Sequence, residues 1–229
     1  MENRYMLMST PRPESALRHP LSAILGSEAR IGVLRELASH GGELSSPQLV
    51  VRTRLAQSSV REALIRLVAT GIIEALGSGK AVVYRGQKKH PLWPPLAALF
   101  HTESARFQKI LDRTRDSLTN TFGRKIEAIW LFGSVVRNDD LFSSDMDIAV
   151  VFNTLPTNET MEKVRTALRQ VEEELFVSIA AIGLTRADIL RLDREAAPLL
   201  DSLKREAIAL VGKRPTDLLT ETKRASAAA

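Results

Sequence analysis

The sequence predicts a two-module chain: a mainly α-helical N-terminal module closing on a β-hairpin, then an α/β module built round a mixed sheet. Three observations carry this. Residues 27–71 hold capped stretches with apolar residues at helical spacing, two short β runs follow round a Gly-rich turn, and from residue 126 strand-like runs alternate with helical ones. A length of 229 residues suits two ordinary domains.

Residues 1–20 are rich in Pro, Ser, Arg and Glu and read as a flexible arm, with the first domain over 21–90. Ser27 is placed to cap a helix whose apolar face is Ile31, Leu34 and Leu37, and Gly41-Gly42 stops it. A second helix starts at Ser46-Pro47, with Ser capping and Pro in the first turn, and runs to about Leu55. The third starts at Ser59, whose Ser-x-x-Glu spacing to Glu62 spells a capping box. Its buried stripe is Val60, Leu64, Leu67 and Val68, and Gly71 closes it. Residues 72–76 and 81–85 then flank Gly77-Ser78-Gly79-Lys80 and predict a hairpin.

Three helices and a hairpin in this order, with the text SSVREALIRLVATGIIEALGSGKAVVYR, resemble the recognition-helix-to-wing segment of bacterial MarR- and GntR-type winged helix-turn-helix regulators. The resemblance implies that the third helix enters the major groove of double-stranded DNA. Gln57, Ser58, Ser59, Arg61 and Arg66 would then face bases or phosphates, with Arg52 and Arg54 just before the helix and Ser78 and Lys80 at the wing. A homodimer is the expected assembly. Charge agrees: residues 1–90 carry 13 Lys/Arg against 7 Asp/Glu, and residues 91–229 carry 19 against 20. No signal-peptide core or run of about 18 apolar residues is present, so the expectation is a cytoplasmic, bacterial-type protein with no membrane partner. With no cysteine, disulfides and thiolate metal sites are excluded, and the four histidines lack ligand spacing.

The basic, proline-rich KKHPLWPP of residues 88–95 reads as a boundary. Residues 91–124 follow as linker and long amphipathic helix, with Leu96, Leu99, Phe100, Phe107, Ile110, Leu111, Leu118 and Phe122 at helical spacing. The second domain occupies 125–212. Its strands are Ile126 to Phe132, Asp147 to Phe152, Val177 to Leu184 and a last buried run at 208–212. Thr157 caps a helix with the stripe Met161, Val164, Leu168, Val171 and Leu175, and further helices lie near 186–191 and 198–206. Residues 213–229 are polar and alanine-rich and read as a frayed tail.

Within this domain LFGSVVRNDDLFSSDMDIAVV, residues 131–151, joins Gly133-Ser134 to Asp145-x-Asp147. Two carboxylates alternating with apolar residues on a strand point the same way and suit a divalent metal, while a Gly-Ser turn suits phosphate. The arrangement resembles the nucleotidyltransferase superfamily signature. That resemblance implies Gly133 and Ser134 on phosphate, Arg137 and Ser144 as helpers, and Asp145 and Asp147 holding Mg²⁺ of a nucleoside triphosphate. Val136 and Asn138 stand where many relatives carry Ala and Gly.

Active relatives place a third carboxylate on the next core strand, yet residues 176–183 contain none, with Ser178 or Ala180 at the expected place. Asp188 follows that strand and is the nearest substitute. The chain is therefore expected to be a DNA-binding transcriptional regulator, its nucleotidyltransferase-like domain acting as nucleotide sensor, scaffold or dimerisation module. The alternatives are an active Mg²⁺-dependent nucleotidyltransferase with a protein, RNA or small-molecule acceptor, and an antitoxin-like or defence-system component.

Overall fold

The computed structural model describes residues 15–141 and 143–227; of the arm expected over residues 1–20, residues 1–14 lie outside the described residues and Pro20 already opens a helix. Two compact units divide at Ala105/Arg106.

The first unit contains α1 (Pro20–Leu25), α2 (Glu28–His40), β1 (Leu44–Ser45), α3 (Ser46–Thr53), α4 (Gln57–Ala69), β2 (Ile73–Leu76), β3 (Val83–Gly86) and the opening of α5 (Trp93–Phe122). The strands form an antiparallel sheet in the order β1-β3-β2. Local chemistry sets most helix ends. Ser27 caps α2 by accepting the Arg30 N–H at 3.3 Å.

Three expectations shift here. The cap of α3 is Ser45, not Ser46: β1 holds Ser45 extended, its hydroxyl accepts the Gln48 N–H, and Gln48 Oε1 accepts the Ser45 N–H at 2.8 Å. Helix α4 begins at Gln57, so Ser59 lies inside its first turn and makes no capping box. The cause is Arg54, which ends α3 in the left-handed region (φ 57°) and turns the chain into α4 two residues early. Glu62 reaches Arg66 instead, at 3.9 Å. The buried stripe is Val60, Ala63, Leu64 and Leu67, while Val68 falls at its margin and is exposed.

Trp93, Leu96 and Phe100 of α5 join the first core with Leu34, Leu37, Leu49, Leu64 and Ile73, so this unit extends past the proline-rich stretch at 88–95. Gly86 lies flat on Trp93; a Cβ there would sit 1.8 Å from the indole Cζ2. Leu99 and Phe107, read as part of the apolar stripe of α5, are exposed.

The second unit holds the rest of α5, then β4 (Ile126–Phe132), α6 (Ser134–Arg137), β5 (Met146–Phe152), α7 (Asn158–Leu175), β6 (Ile179–Thr185), α8 (Arg186–Arg194), α9 (Pro198–Glu206), β7 (Ile208–Val211) and α10 (Pro215–Ala227). The sheet order is β6-β5-β4-β7, with β5 and β6 parallel and the other pairs antiparallel, which makes the sheet mixed as expected. Alternation along β4 and β5 sends Ile129, Leu131, Met146, Ile148 and Val150 to one face, packed with Ile110, Leu118, Val164 and Leu168. Ala128, Trp130, Ala149 and Val151 go to the other, packed with Ile189, Leu200, Leu203 and Leu218.

Two further corrections follow. Residues 215–227 are helical rather than frayed: Leu218, Leu219 and Thr222 are buried, and the Trp130 indole N–H donates to the Lys213 carbonyl at 2.7 Å. Strand β7 is an edge strand, and Ile208 is exposed rather than buried. No helix among the described residues is long and apolar enough to cross a membrane.

Candidate functional site

Strand β4 ends at Gly133, which adopts φ 81° and ψ −155°, a conformation essentially confined to glycine. Space demands glycine as well, because a Cβ there would lie 2.4 Å from Asp147 Oδ2. The backbone of the turn is thereby pressed against one carboxylate of the pair. Ser134 then opens α6, whose leading N–H groups have no partner within the helix.

Asp147 sits on β5 between Phe132 of β4 and Ala180 of β6. Asp145 differs from the expectation: it precedes the strand, which starts at Met146, and is exposed in the loop. The Met146 N–H donates to the Ser178 carbonyl at 2.8 Å, so Ser178 lies level with the start of β5. Neither Ser178, just before β6, nor Ala180 on it brings an acid to the pair. Ser144 is used locally, its hydroxyl accepting the Leu141 N–H at 2.9 Å.

Burial pushes the Asp147 carboxyl above its usual range, the charge of Asp145 adds to the rise, and the Arg137 guanidinium opposes both. Arg137 is not idle. Its Nε donates to Asp139 Oδ2 at 3.0 Å and its Nη1 to Glu206 Oε1 at 2.9 Å. Glu206, its side chain only 9% exposed, ends α9 and also accepts from the Ser202 hydroxyl, which is the main reason its carboxyl is held below the usual range. Sequence reading missed Glu206, which stands 69 residues from Arg137 with no local signal. Asp188 is committed elsewhere: it accepts from the Thr185 N–H at 3.0 Å and the Thr185 hydroxyl at 2.7 Å, completing the capping box of α8.

Asp145 and Asp147, with Asp139 and Asp140 nearby in the chain and one arginine among them, leave the turn net negative. That donor set fits a divalent cation carrying phosphate and water, which commonly takes one or two carboxylates. Among the described residues no three His, Asp or Glu side chains converge as a metal site.

The first unit presents the other candidates. Arg52 Nε donates to Glu36 Oε2 at 2.7 Å. Arg35 is bound to both oxygens of Glu103, and Arg85 to Glu74 and Glu43. The side chains of Arg54 and Arg61, by contrast, have no hydrogen-bond or ion-pair partner among the described residues. Gln57 and Ser58 are exposed on the first turn of α4, and Ser59 is half-buried. Ser78 is exposed in the hairpin; Lys80 belongs to the short 3₁₀ turn there, and its side chain lies outside the described residues.

Comparison with known proteins adds the following. Residues 116–214 match the family described as polymerase beta, nucleotidyltransferase. A toxin-antitoxin structure with AMP-PNP is 16% identical, with 51% of this chain and 86% of that chain covered and a TM-score of 0.37. The AntR antimony-specific transcriptional repressor is 17% identical, with 48% and 96% covered and a TM-score of 0.33. No curated protein matches. Gly133, Ser134, Asp145 and Asp147 all fall inside the matched stretch, and the second unit carries a polymerase beta-type nucleotidyltransferase domain over residues 116–214.

Proposed function

We propose that the chain is a DNA-binding transcriptional regulator. On this reading the first unit is a winged helix-turn-helix, α4 is its recognition helix, and β2 and β3 with Lys80 between them form the wing. The observation that carries it is the pair Arg54 and Arg61, which have no hydrogen-bond or ion-pair partner among the described residues and lie beside the exposed Gln57 and Ser58 at the start of α4. A guanidinium with no acid partner is available to guanine or phosphate, whereas Arg52 is already engaged by Glu36. Affinity for duplex DNA should fall steeply with salt; a flat response between about 50 and 200 mM salt sinks the reading.

The nucleotidyltransferase domain is assigned the role of nucleotide sensor, scaffold or dimerisation module within a homodimer. Asp145 and Asp147 would hold Mg²⁺, which would carry the triphosphate, and the Gly133-Ser134 turn would meet its phosphates. Regulation requires nucleotide to bind two global states unequally. DNA affinity measured with and without saturating, demonstrably bound Mg²⁺-ATP or Mg²⁺-GTP tests it, and superimposable curves remove the sensing role.

The second reading, transfer of a nucleoside monophosphate to a hydroxyl, is favoured by the carboxylate pair beside the Gly-Ser turn and weakened by Ala180 next to Asp147. Label transferred from NTP, and lost in both Asp145→Ala and Asp147→Ala, would establish it over the first.

A further inference from the structure

Helix α4 turns Val60, Ala63, Leu64 and Leu67 inward. On its other side Ser58, Arg61, Ile65 and Val68 succeed one another at three- and four-residue intervals and so share one outward stripe. Ile65 is 60% exposed and takes no part in the first core. A β-branched side chain at such a place gains nothing from helix propensity and nothing from burial within the unit. With Val68 it leaves an exposed apolar strip next to Arg61.

Resting on the DNA-binding reading above, we propose that Ile65 contacts the C5-methyl of a thymine in the major groove, beside a guanine taken by Arg61. The two side chains are chemically suited to that division. The forked guanidinium matches guanine O6 and N7, while the thymine methyl offers only an apolar surface, and Ile65, four residues from Arg61, is the nearer of the two exposed apolar side chains on the same stripe, Val68 lying seven away. Four residues span about 6 Å along a helix, close to two base steps of about 3.4 Å each. The thymine therefore lies within about two base pairs of the guanine. Val51, 76% exposed on α3 and off the stripe, has no part in it.

The experiment selects the full chain against a random duplex library, then replaces each enriched thymine singly by deoxyuridine, which removes only the methyl. Wild type should lose about fourfold in affinity at one thymine, the worth of one buried methyl-sized group. Ile65→Ala should bind the thymine and uracil duplexes alike while keeping the guanine preference, and Val51→Ala should discriminate as wild type does. Because Ile65 is exposed, its truncation leaves the first core filled, which an unchanged thermal melt verifies.

An enriched motif lacking thymine near guanine, indifference of wild type to every methyl, or wild-type discrimination by Ile65→Ala overturns the proposal while DNA binding stands. No enrichment, together with salt-independent binding, overturns the DNA-binding reading itself and the thymine assignment with it.

Discussion

Among the described residues Arg54 and Arg61 stand beside the first turns of α4 without an acidic partner, whereas Arg137, at the end of α6, is held by Asp139 and Glu206 together. The first region leaves positive charge open. The second leaves negative charge open, since one arginine already shared by two acids offsets only part of the Asp145–Asp147 pair. An arginine closed on carboxylates works as a cross-link between elements, and one left open stays available to an anionic ligand. Reading which charges lack partners thus separates a face suited to a polyanion from a turn suited to a cation.

The largest test of that contrast is Arg61→Ala against Arg52→Ala. Fluorescence anisotropy with a selected duplex should show a loss of about 5- to 150-fold for Arg61→Ala, corresponding to about 1–3 kcal/mol. Arg52→Ala should cost much less, and equal losses would break the distinction between open and closed arginines. Next comes Gly133→Ala, expected to lower the stability of the second unit by about 1–3 kcal/mol in a denaturant melt, because positive φ and the Asp147 carboxylate both exclude a Cβ. An unchanged melt would show that the turn is not pinned against Asp147.

Asp147→Asn acts in the opposite direction. A carboxyl raised by burial and a like charge makes its ionised form a cost to the folded state, a cost complete above its folded pKa, shrinking as pH falls through that value and gone below the ordinary carboxylate range. The substitution should therefore stabilise the chain at neutral pH by less than about 1 kcal/mol, lose that advantage in acid, and abolish any rise in melting temperature given by Mg²⁺. Destabilisation at neutral pH would contradict an open negative site.

The smallest effect belongs to the closed pair Arg35–Glu103. The Arg35 hydrogen bond holds the Glu103 carboxyl below its usual range, so its contribution is complete above about pH 4.3 and is lost as pH falls through the lower folded value. Both side chains are about half exposed, which limits the contribution to about 0.5 kcal/mol. Glu103→Gln should flatten only that part of the acid limb.

Features written in neighbouring residues were legible in the sequence. Ser27, Thr157 and the strand β4 lie where hydroxyl spacing and an unbroken apolar run put them. Features needing a distant partner were not. Strand β1 is two residues long and exists because Leu44 and Ser45 pair with Tyr84 and Val83. Helix α10 hides its anchors, Leu218 and Leu219, in polar text, and only the sheet face they cover gives them meaning. At the site, Gly133 and the two aspartates could be read, but the loop position of Asp145 and the hold of Glu206 on Arg137 depend on where elements meet.

The central place of β4 has a kinetic consequence. Its partner β7 and the Lys213 carbonyl that receives the Trp130 indole arrive about eighty residues later in the chain. During refolding one edge of the apolar run IEAIWLF stays unpaired until that late segment returns, while helix pairs in the first unit close over short separations. An open, hydrophobic strand edge is a template for another chain. Recovery of the second unit from denaturant should accordingly decline with protein concentration before recovery of the first does.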